Sequence, residues 1–404
     1  MAAAPSRVTP MAFLGLLGDN ASLVVVESVA YLSTFLLLLH VHSSGKRNAA
    51  VWVAAMFQVL LVELFLHSDD RWHAQSLLMA VPDRLPLYTV LLQAQLYYTA
   101  FVATSRLQID VLFQPFAMGT FVVLLALPLE LLGAKFLWWT WHDTDPLLAD
   151  RLLGIPCHAL FYCYYFAFAF SCVHHVLRRN WLTGDYCKED QWASERAYVL
   201  LMPFLTTLLA AGLLILGYYC PVRLLGIQAQ VSLFMLIGLS LLLCWIADRE
   251  RGLPGVQDSL DPVAVYDSDW LYSCIDHAVN QMVFLLYFVL LLLVLFINPT
   301  EIVSMGHHQP LGHCLERQSY YSLIGMRHHR RKYLCAYDFD EDFTLCNVPM
   351  TQLLHEGPSY MICGRGYNNF ATYVALVAGS FVGLNVLFYH VLKRPHVVTF
   401  HRRQ

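Results

Sequence analysis

Long apolar runs alternate with short polar interruptions along this chain, and the runs have the length of membrane spans. Nine stretches, at approximately 21–41, 49–66, 85–104, 110–132, 155–177, 198–218, 224–246, 278–298 and 370–392, each approach the roughly 20 apolar residues that a helix needs to cross about 30 Å of hydrocarbon. The pattern predicts an all-α fold, a polytopic transmembrane helical bundle of about nine spans. It divides into a short N-terminal segment (1–20), a membrane bundle (21–298), one long outer loop (299–369), a last span (370–392) and a tail (393–404). "MAFLGLLG" after Arg7 is barely long enough for the apolar part of a signal peptide and lacks a small-residue cleavage site, so span one is expected to act as the signal anchor.

Composition agrees. The chain is 58% hydrophobic and 13% charged, whereas a soluble domain is about 25% charged. The lipid bilayer is therefore its expected partner. A net charge of −4, evenly spread, excludes a nucleic-acid partner.

Basic residues favour the cytoplasmic side of short loops. Here 13 of them, from Lys46 and Arg47 to Arg402 and Arg403, fall on one face; 6, among them Arg7, Arg71 and Arg84, fall on the other. The expected topology has a cytoplasmic C-terminus, with the N-terminus and the 299–369 loop extracellular or luminal, in the plasma membrane or the endoplasmic reticulum. The sequon "NAS" at Asn20 then lies on the glycosylated side, but so close to span one that it is expected to be unoccupied. Seven of the 11 cysteines lie in or near spans, while Cys314, Cys335, Cys346 and Cys363 share the outer loop, where oxidation is permitted. Two disulfides are expected there. Of the three pairings four cysteines allow, the favoured one joins Cys335 to Cys346, which bracket "AYDFDEDFTL".

Comparing the chain with itself reveals a repeat. Span two ends in "VELFLHSDDRWHAQSLLMAVPDRLPLY" and span four in "LELLGAKFLWWTWHDTDPLLADRLLGIPCH". Both carry Glu-Leu in the last helical turn (Glu63, Glu130), a Trp-His pair (Trp72–His73, Trp141–His142), an Asp-Arg, and a proline (Pro86, Pro156) that opens the next span. The shared order suggests a duplicated two-helix hairpin, over about 49–104 and 110–177, with both loops outside. Such repeats are parallel in topology, related by an axis along the membrane normal.

The glutamate, the aromatic loop "WWTW" and the proline-opened helix, taken twice, resemble the membrane proteins of carotenoid biosynthesis, the lycopene-cyclase-like and carotenoid-hydratase families, over spans two to five. The resemblance implies chemistry on an isoprenoid. Lycopene cyclases carry an acidic pair just after that proline, where this chain has Pro86-Leu87-Tyr88 and Pro156-Cys157-His158. The long cysteine-containing loop resembles instead an uncharacterised animal multi-pass membrane family, a domain of unknown function.

Trp138, Trp139 and Trp141 at a helix end read first as an interfacial aromatic belt. Glu27, Glu63 and Glu130 are harder to dismiss, because an ionisable group inside a span is expensive unless it is paired, neutral or facing water. Glu63, Glu130, His142 and Asp143 are the candidate catalytic residues. His73, His142, Asp145 and His158 are the candidate ligands for zinc or iron, with His67 nearby, though no tight ligand motif joins them. The cofactor, if any, is unknown. "RHHRRK" (327–332) and "DFDED" (338–342) are expected to neutralise each other within the outer loop.

Two function classes follow. One is a membrane-embedded enzyme or binder of an apolar, isoprenoid-like lipid, in which a protonated Glu63 or Glu130 donates a proton and tryptophan faces stabilise a cation. The other is a proton- or cation-linked transporter, receptor or scaffold without catalysis. No phosphate-binding G-x-x-x-x-G-K-[ST] and no G-x-S-x-G nucleophile elbow occurs.

Overall fold

The computed structural model describes residues 13–66, 70–107, 109–181, 191–250, 270–321, 326–335, 337, 343–347 and 359–392. The acidic "DFDED" stretch and His67 lie outside the described residues.

The chain is mostly helical. A short α1 (Phe13–Asp19) leads into α2 (Ala21–Ser43), α3 (Lys46–Leu61), α4 (Leu87–Arg106), α5 (Gln114–Lys135), α6 (Cys157–Val176), α7 (Gln191–Leu214), α8 (Ala229–Glu250), α9 (Trp270–Phe296) and α10 (Phe370–Leu392). Among the described residues eight helices are long and apolar enough to cross a membrane, and α4 is the long helix outside that set. Its polar side chains face neighbouring helices: Gln95 accepts from Ser33 Oγ at 2.7 Å and donates to Ala30 O at 2.9 Å, binding α4 to α2. Such interhelical hydrogen bonds hold helices together where the hydrophobic effect does not.

Local sequence sets the helix ends. Asn20 caps α2, its side chain accepting from Leu23 N at 3.1 Å. Pro86 and Pro156 are the residues from which α4 and α6 start, and Pro115 sits in the first turn of α5, where a missing N–H costs nothing. That proline moves the start of α5 to Gln114, four residues later than the apolar run suggests. In the same way α4 begins at Leu87, since residues 85–86 are extended. After Leu61 the helix widens into a π turn, Val62–Leu66, which carries Glu63. A second π segment, Ile215–Leu224, prolongs α7.

Helix α5 is the centre of the bundle, packing on α4, α6 and α8; α2 packs on α9 and α4, α3 on α7 and α4, and α10 on α9. In α5 83% of the apolar window is buried inside the protein, against 17% in α10, so α10 presents most of its surface outward.

One end of the bundle is roofed by short strands. Strand β1 (Arg71–His73) follows α3, β2 (Met79–Val81) and β3 (Leu85–Pro86) form a hairpin before α4, β4 (Trp139–Trp141) follows α5, and β5 (Arg151–Leu152) and β6 (Ile155–Pro156) form a hairpin before α6. The two loops pair with each other through β1 and β4, antiparallel, in the register Arg71↔Trp141, Trp72↔Thr140, His73↔Trp139. His142 N to Asp70 O at 2.9 Å continues the ladder.

The outer loop lies over this pair. It contains β7 (Val303–His307), β8 (Arg317–Tyr321), β9 (Arg327–Arg331), β10 (Phe343–Thr344) and β11 (Ser359–Gly364), with β11 between β10 and β7 and β8 paired with β9. Gly306 bridges Ala74, Gln75 N donates to Met305 O at 2.7 Å, and Ser304 Oγ donates to Leu137 O at 3.0 Å. The loop holds two disulfides, Cys314–Cys335 and Cys346–Cys363. The favoured Cys335–Cys346 pairing is thus corrected: each bond instead ties a strand-bearing segment to its own neighbour, and Cys363 on β11 faces Thr344 of β10, next to Cys346.

Asn20 is 1% exposed, and its amide donates to Phe136 O at 3.1 Å. A buried cap leaves no room for a glycan.

Candidate functional site

The tryptophans do not form a belt. Trp138, Trp139 and Trp141 are all buried, because the paired loops and the outer loop enclose the end of α5 that an open bundle would leave at the headgroups. Trp138 Nε1 donates to Ser22 Oγ at 3.0 Å.

What Trp139 and Trp141 enclose is a cation. The Arg71 guanidinium carbon lies 5.6 Å from the Trp139 ring centroid and 5.1 Å from that of Trp141, within cation–π range. Arg71 Nη2 donates to Glu63 Oε1, and Nη1 points at Glu130 Oε1 at 3.5 Å. The two repeated glutamates therefore converge on one guanidinium from α5 and from the π turn after α3. Glu63 is held further by Gln93 Nε2 of α4 at 2.7 Å and by His73 Nε2 at 3.3 Å. Glu130 is held less: its Oε2 is buried without a hydrogen bond, beside the Trp139 indole. Burial pulls the Arg71 pKa down, against the Glu130 charge, but a guanidinium remains protonated.

Glu27 is a separate fixture. It accepts from Tyr31 Oη at 2.6 Å and from the backbone N–H groups of Leu77 and Leu78 at 3.1 Å each, pinning the first loop to α2.

His142 and Asp143 lie one step beyond β4, on the outer-loop side. His142 Nδ1 is 3.5 Å from Asp143 Oδ1, and Asp143 N donates to Gln309 Oε1 at 3.1 Å. Asp145 accepts from Tyr320 Oη at 2.7 Å and from Arg330 Nη1 at 2.8 Å, and the same Arg330 nitrogen reaches Asp70 at 2.7 Å. Arg330 thereby joins β9 to both hairpin loops; the expected neutralisation by the acidic stretch falls outside the described residues. His158, in the first turn of α6, meets Tyr162 edge-to-face and Tyr218 at a tilt, with ring centroids 4.6 and 4.8 Å apart. His73 on Glu63, His142 and Asp145 around Arg330, and His158 among tyrosines thus serve three different neighbourhoods, and among the described residues no group of three or more His, Cys, Asp or Glu is placed to hold a metal ion.

A family model described as a domain of unknown function, DUF7802, matches residues 12–393. The chain belongs to the DUF7802 family. No curated protein and no solved structure matches it. The match covers both hairpins, the outer loop and α10, so the Glu–Arg–Glu cluster and its cover lie inside one family domain. The family description carries no activity, and the likeness to carotenoid enzymes gains nothing from it.

Two histidines of the cover of the DUF7802 chain are buried where the charged imidazole is disfavoured. Burial lowers the pKa of His142 to about 4 and that of His308, which sits 3.3 Å from Thr140 Oγ1, to about 3, both from 6.5. The unfolded chain therefore binds protons that the folded chain refuses, so the stabilisation is complete above about pH 6.5 and is lost as pH falls toward about 4. Burial raises the Asp143 carboxyl, which acts in the opposite sense and trims the loss at the acid end. For His142 the effect is on the order of 3 kcal/mol. Protection of the β4, β7 and β9 amides, measured against intrinsic exchange at each pH, should fall between pH 6.5 and 5 and be retained when His142 and His308 are both replaced by Gln; unchanged protection in the wild type would remove the histidines from that role.

Proposed function

We propose that this DUF7802 chain is a proton-linked carrier of the membrane, with Glu63, Arg71 and Glu130 as its proton-binding site. The observation that carries this reading is the charge count of the cluster: two buried carboxylates share one guanidinium, and Glu130 Oε2 is left without a hydrogen bond. One formal negative charge then lacks a counter-charge, and inside a membrane bundle a proton or a cation is the inexpensive way to supply it. His73, on Glu63, offers a second place for that proton to rest.

The membrane-embedded enzyme is the weaker reading. Its tryptophans were to stabilise a cationic intermediate on an isoprenoid lipid, yet the faces of Trp139 and Trp141 already meet a resident cation, Arg71.

Around this site we place nine spans, counting α4. The three roofing loops and the start of α2 then all fall on the extracellular or luminal side, in keeping with two disulfides there, and the C-terminus is cytoplasmic. We also read the hairpins as a duplication. The two Trp-His pairs stand 69 positions apart (72 to 141), and under that offset the β1–β4 register maps onto itself: Arg71↔Trp141 becomes Trp72↔Thr140. A two-fold axis through the strand pair, along the membrane normal, has this property.

The test is an infrared pH titration of the full chain in nanodiscs, from about pH 4 to 9, a range wide enough for a shifted carboxyl. A protonated-carboxyl band should titrate in the wild type and vanish in Glu130→Gln, while substitution of the exposed Glu301 leaves it in place. Proteoliposomes under a potassium diffusion potential should then acidify faster than empty vesicles, and Glu130→Gln should return them to the empty-vesicle rate. A band that survives Glu130→Gln overturns the site. Wild-type vesicles no faster than empty ones overturn the carrier.

A further inference from the structure

Where α3 packs on α7, two polar side chains are sealed inside the bundle. Gln58 of α3 and Thr206 of α7 are both 0% exposed. Gln58 Nε2 donates to Thr207 Oγ1 at 3.1 Å, and Thr207 Oγ1 in turn donates to Pro203 O at 2.8 Å. The Thr207 hydroxyl has one hydrogen and gives it to its own helix, so toward Gln58 it can only accept. The carboxamide is therefore held with its nitrogen on α7 and its oxygen turned away. Gln58 Oε1 and Thr206 Oγ1 are each buried without a hydrogen-bond partner among the described residues.

A buried acceptor without a donor and a buried hydroxyl without an acceptor each cost free energy. One molecule that both donates and accepts removes both costs. Pro203 adds a third group, since a proline inside α7 has no N–H to offer the Val199 carbonyl one turn below. The set is a carboxamide oxygen, a hydroxyl and a backbone carbonyl, all uncharged, so nothing there offsets the charge of an ion inside a membrane. Such a set of neutral partners is what a buried water takes.

We propose that Gln58, Thr206 and the Val199 carbonyl hold one water at the α3–α7 junction and that, resting on the reading of the chain as a proton carrier, this water is a station on the cytoplasmic approach to the glutamate cluster. At roughly 1.5 Å per residue, Gln58 stands about 18 Å along α3 from Lys46 and about 8 Å short of Glu63. On its cytoplasmic side α7 presents Glu195, Tyr198, Met202 and Thr206 at spacings of three and four, which is one helical face. Its first two polar members meet α6 and the π turn that follows it: Glu195 accepts from Arg178 at 2.7 Å, and Tyr198 Oη lies 2.8 Å from His174 Nδ1. The outer approach is closed by the paired strands β1 and β4 and the buried tryptophans. The water receives one proton on its oxygen from the cytoplasmic side and releases another toward Glu63, so it ends neutral, while Gln58 and Thr206 keep theirs.

Rapid X-ray radiolysis of the full chain in nanodiscs, read by mass spectrometry, locates the water, because hydroxyl radicals formed from a trapped water oxidise the side chain beside it. Met202, one turn from Thr206, is fully buried, as are Met118 and Met282. In the wild type Met202 should be oxidised several-fold faster than those two controls. It should fall to their rate in Thr206→Val, which keeps the shape and removes the hydroxyl, and recover in Thr206→Ser. Thr206→Val should also cut proton uptake by the vesicles by roughly tenfold or more, as expected for a positioned proton-transfer group, while the Glu130 carboxyl band titrates as in the wild type. Should Thr206→Val unfold the chain, Gln58→Leu makes the same comparison from α3. Met202 no faster than its controls, or equally fast in wild type and variants, overturns the water. A lost footprint with wild-type proton uptake overturns the relay. Wild-type vesicles that fail to acidify overturn the carrier and with it the relay, and the footprint still decides the water.

Discussion

Arg71→Met should destabilise the chain by about 3–5 kcal/mol, the cost of removing one partner from a buried ion cluster. Arg71 answers Glu63 and Glu130 with different nitrogens of one planar fork, at 7% exposure. Without it two buried carboxylates face each other with no cation between them. The β1–β4 ladder would suffer too, since Arg71 is also what Trp139 and Trp141 pack against. Arg71→Lys should recover only part of the loss, because an ammonium is a point charge and lacks the fork that reaches two acids at once. Thermal unfolding of the full chain in nanodiscs measures this. A wild-type transition in Arg71→Met would mean that the acids are already neutral in the folded protein, and would remove the charge argument from the proposed site.

Much of this site was legible in the sequence, and the part that was not has a physical reason. The repeat of Glu, Trp-His and proline picked out Glu63 and Glu130, and the structure brings them to one guanidinium. Each of the nine long helices among the described residues coincides with one of the apolar runs, but the bounds are looser: α7 and α9 begin at Gln191 and Trp270, ahead of the runs that start at 198 and 278, and α5 begins late, at Gln114, beside Pro115. Arg71 was missed. It had been counted only as a basic residue of an outer loop, although it stands directly before the Trp-His pair, and an arginine beside intramembrane acids was the available signal. Gln93 was missed for a similar reason: in a 20-residue apolar run two carboxamides, Gln93 and Gln95, read as tolerated rather than directed.

Contacts far apart in sequence were beyond reach. Arg330 meets Asp145 and Asp70 across separations of 185 and 260 residues, and no local pattern encodes such a pairing. The paired strands β1 and β4 are three residues each, too short for alternation to announce them. The aromatic belt failed because its premise, an open outer face, is a tertiary property: the same three tryptophans would lie at the headgroups if the disulfide-tied loop did not cover them.

The two glutamates, alike in sequence, should behave differently when the charge is removed. Glu63 is satisfied on both oxygens, by Arg71 and Gln93 on one and by His73 on the other. Glu63→Gln leaves the guanidinium with its distant partner only, and turns an amide N–H toward donors that already point inward. It should cost about 3 kcal/mol or more, as for breaking a buried pair. Glu130 makes one long contact, at 3.5 Å, and buries an oxygen that the Trp139 indole approaches without closing a hydrogen bond. Glu130→Gln removes the surplus charge and keeps the shape, so stability should change by less than about 1 kcal/mol or rise, while proton uptake is lost. The double variant should be less stable than Glu63→Gln alone, because Arg71 then has no carboxylate at all, and the difference measures the Glu130–Arg71 coupling. Unfolding transitions and proton flux on all three variants separate the roles. If Glu130→Gln instead unfolds the chain while Glu63→Gln spares it, the strong and weak partners of Arg71 are reversed, and the proton belongs on Glu63.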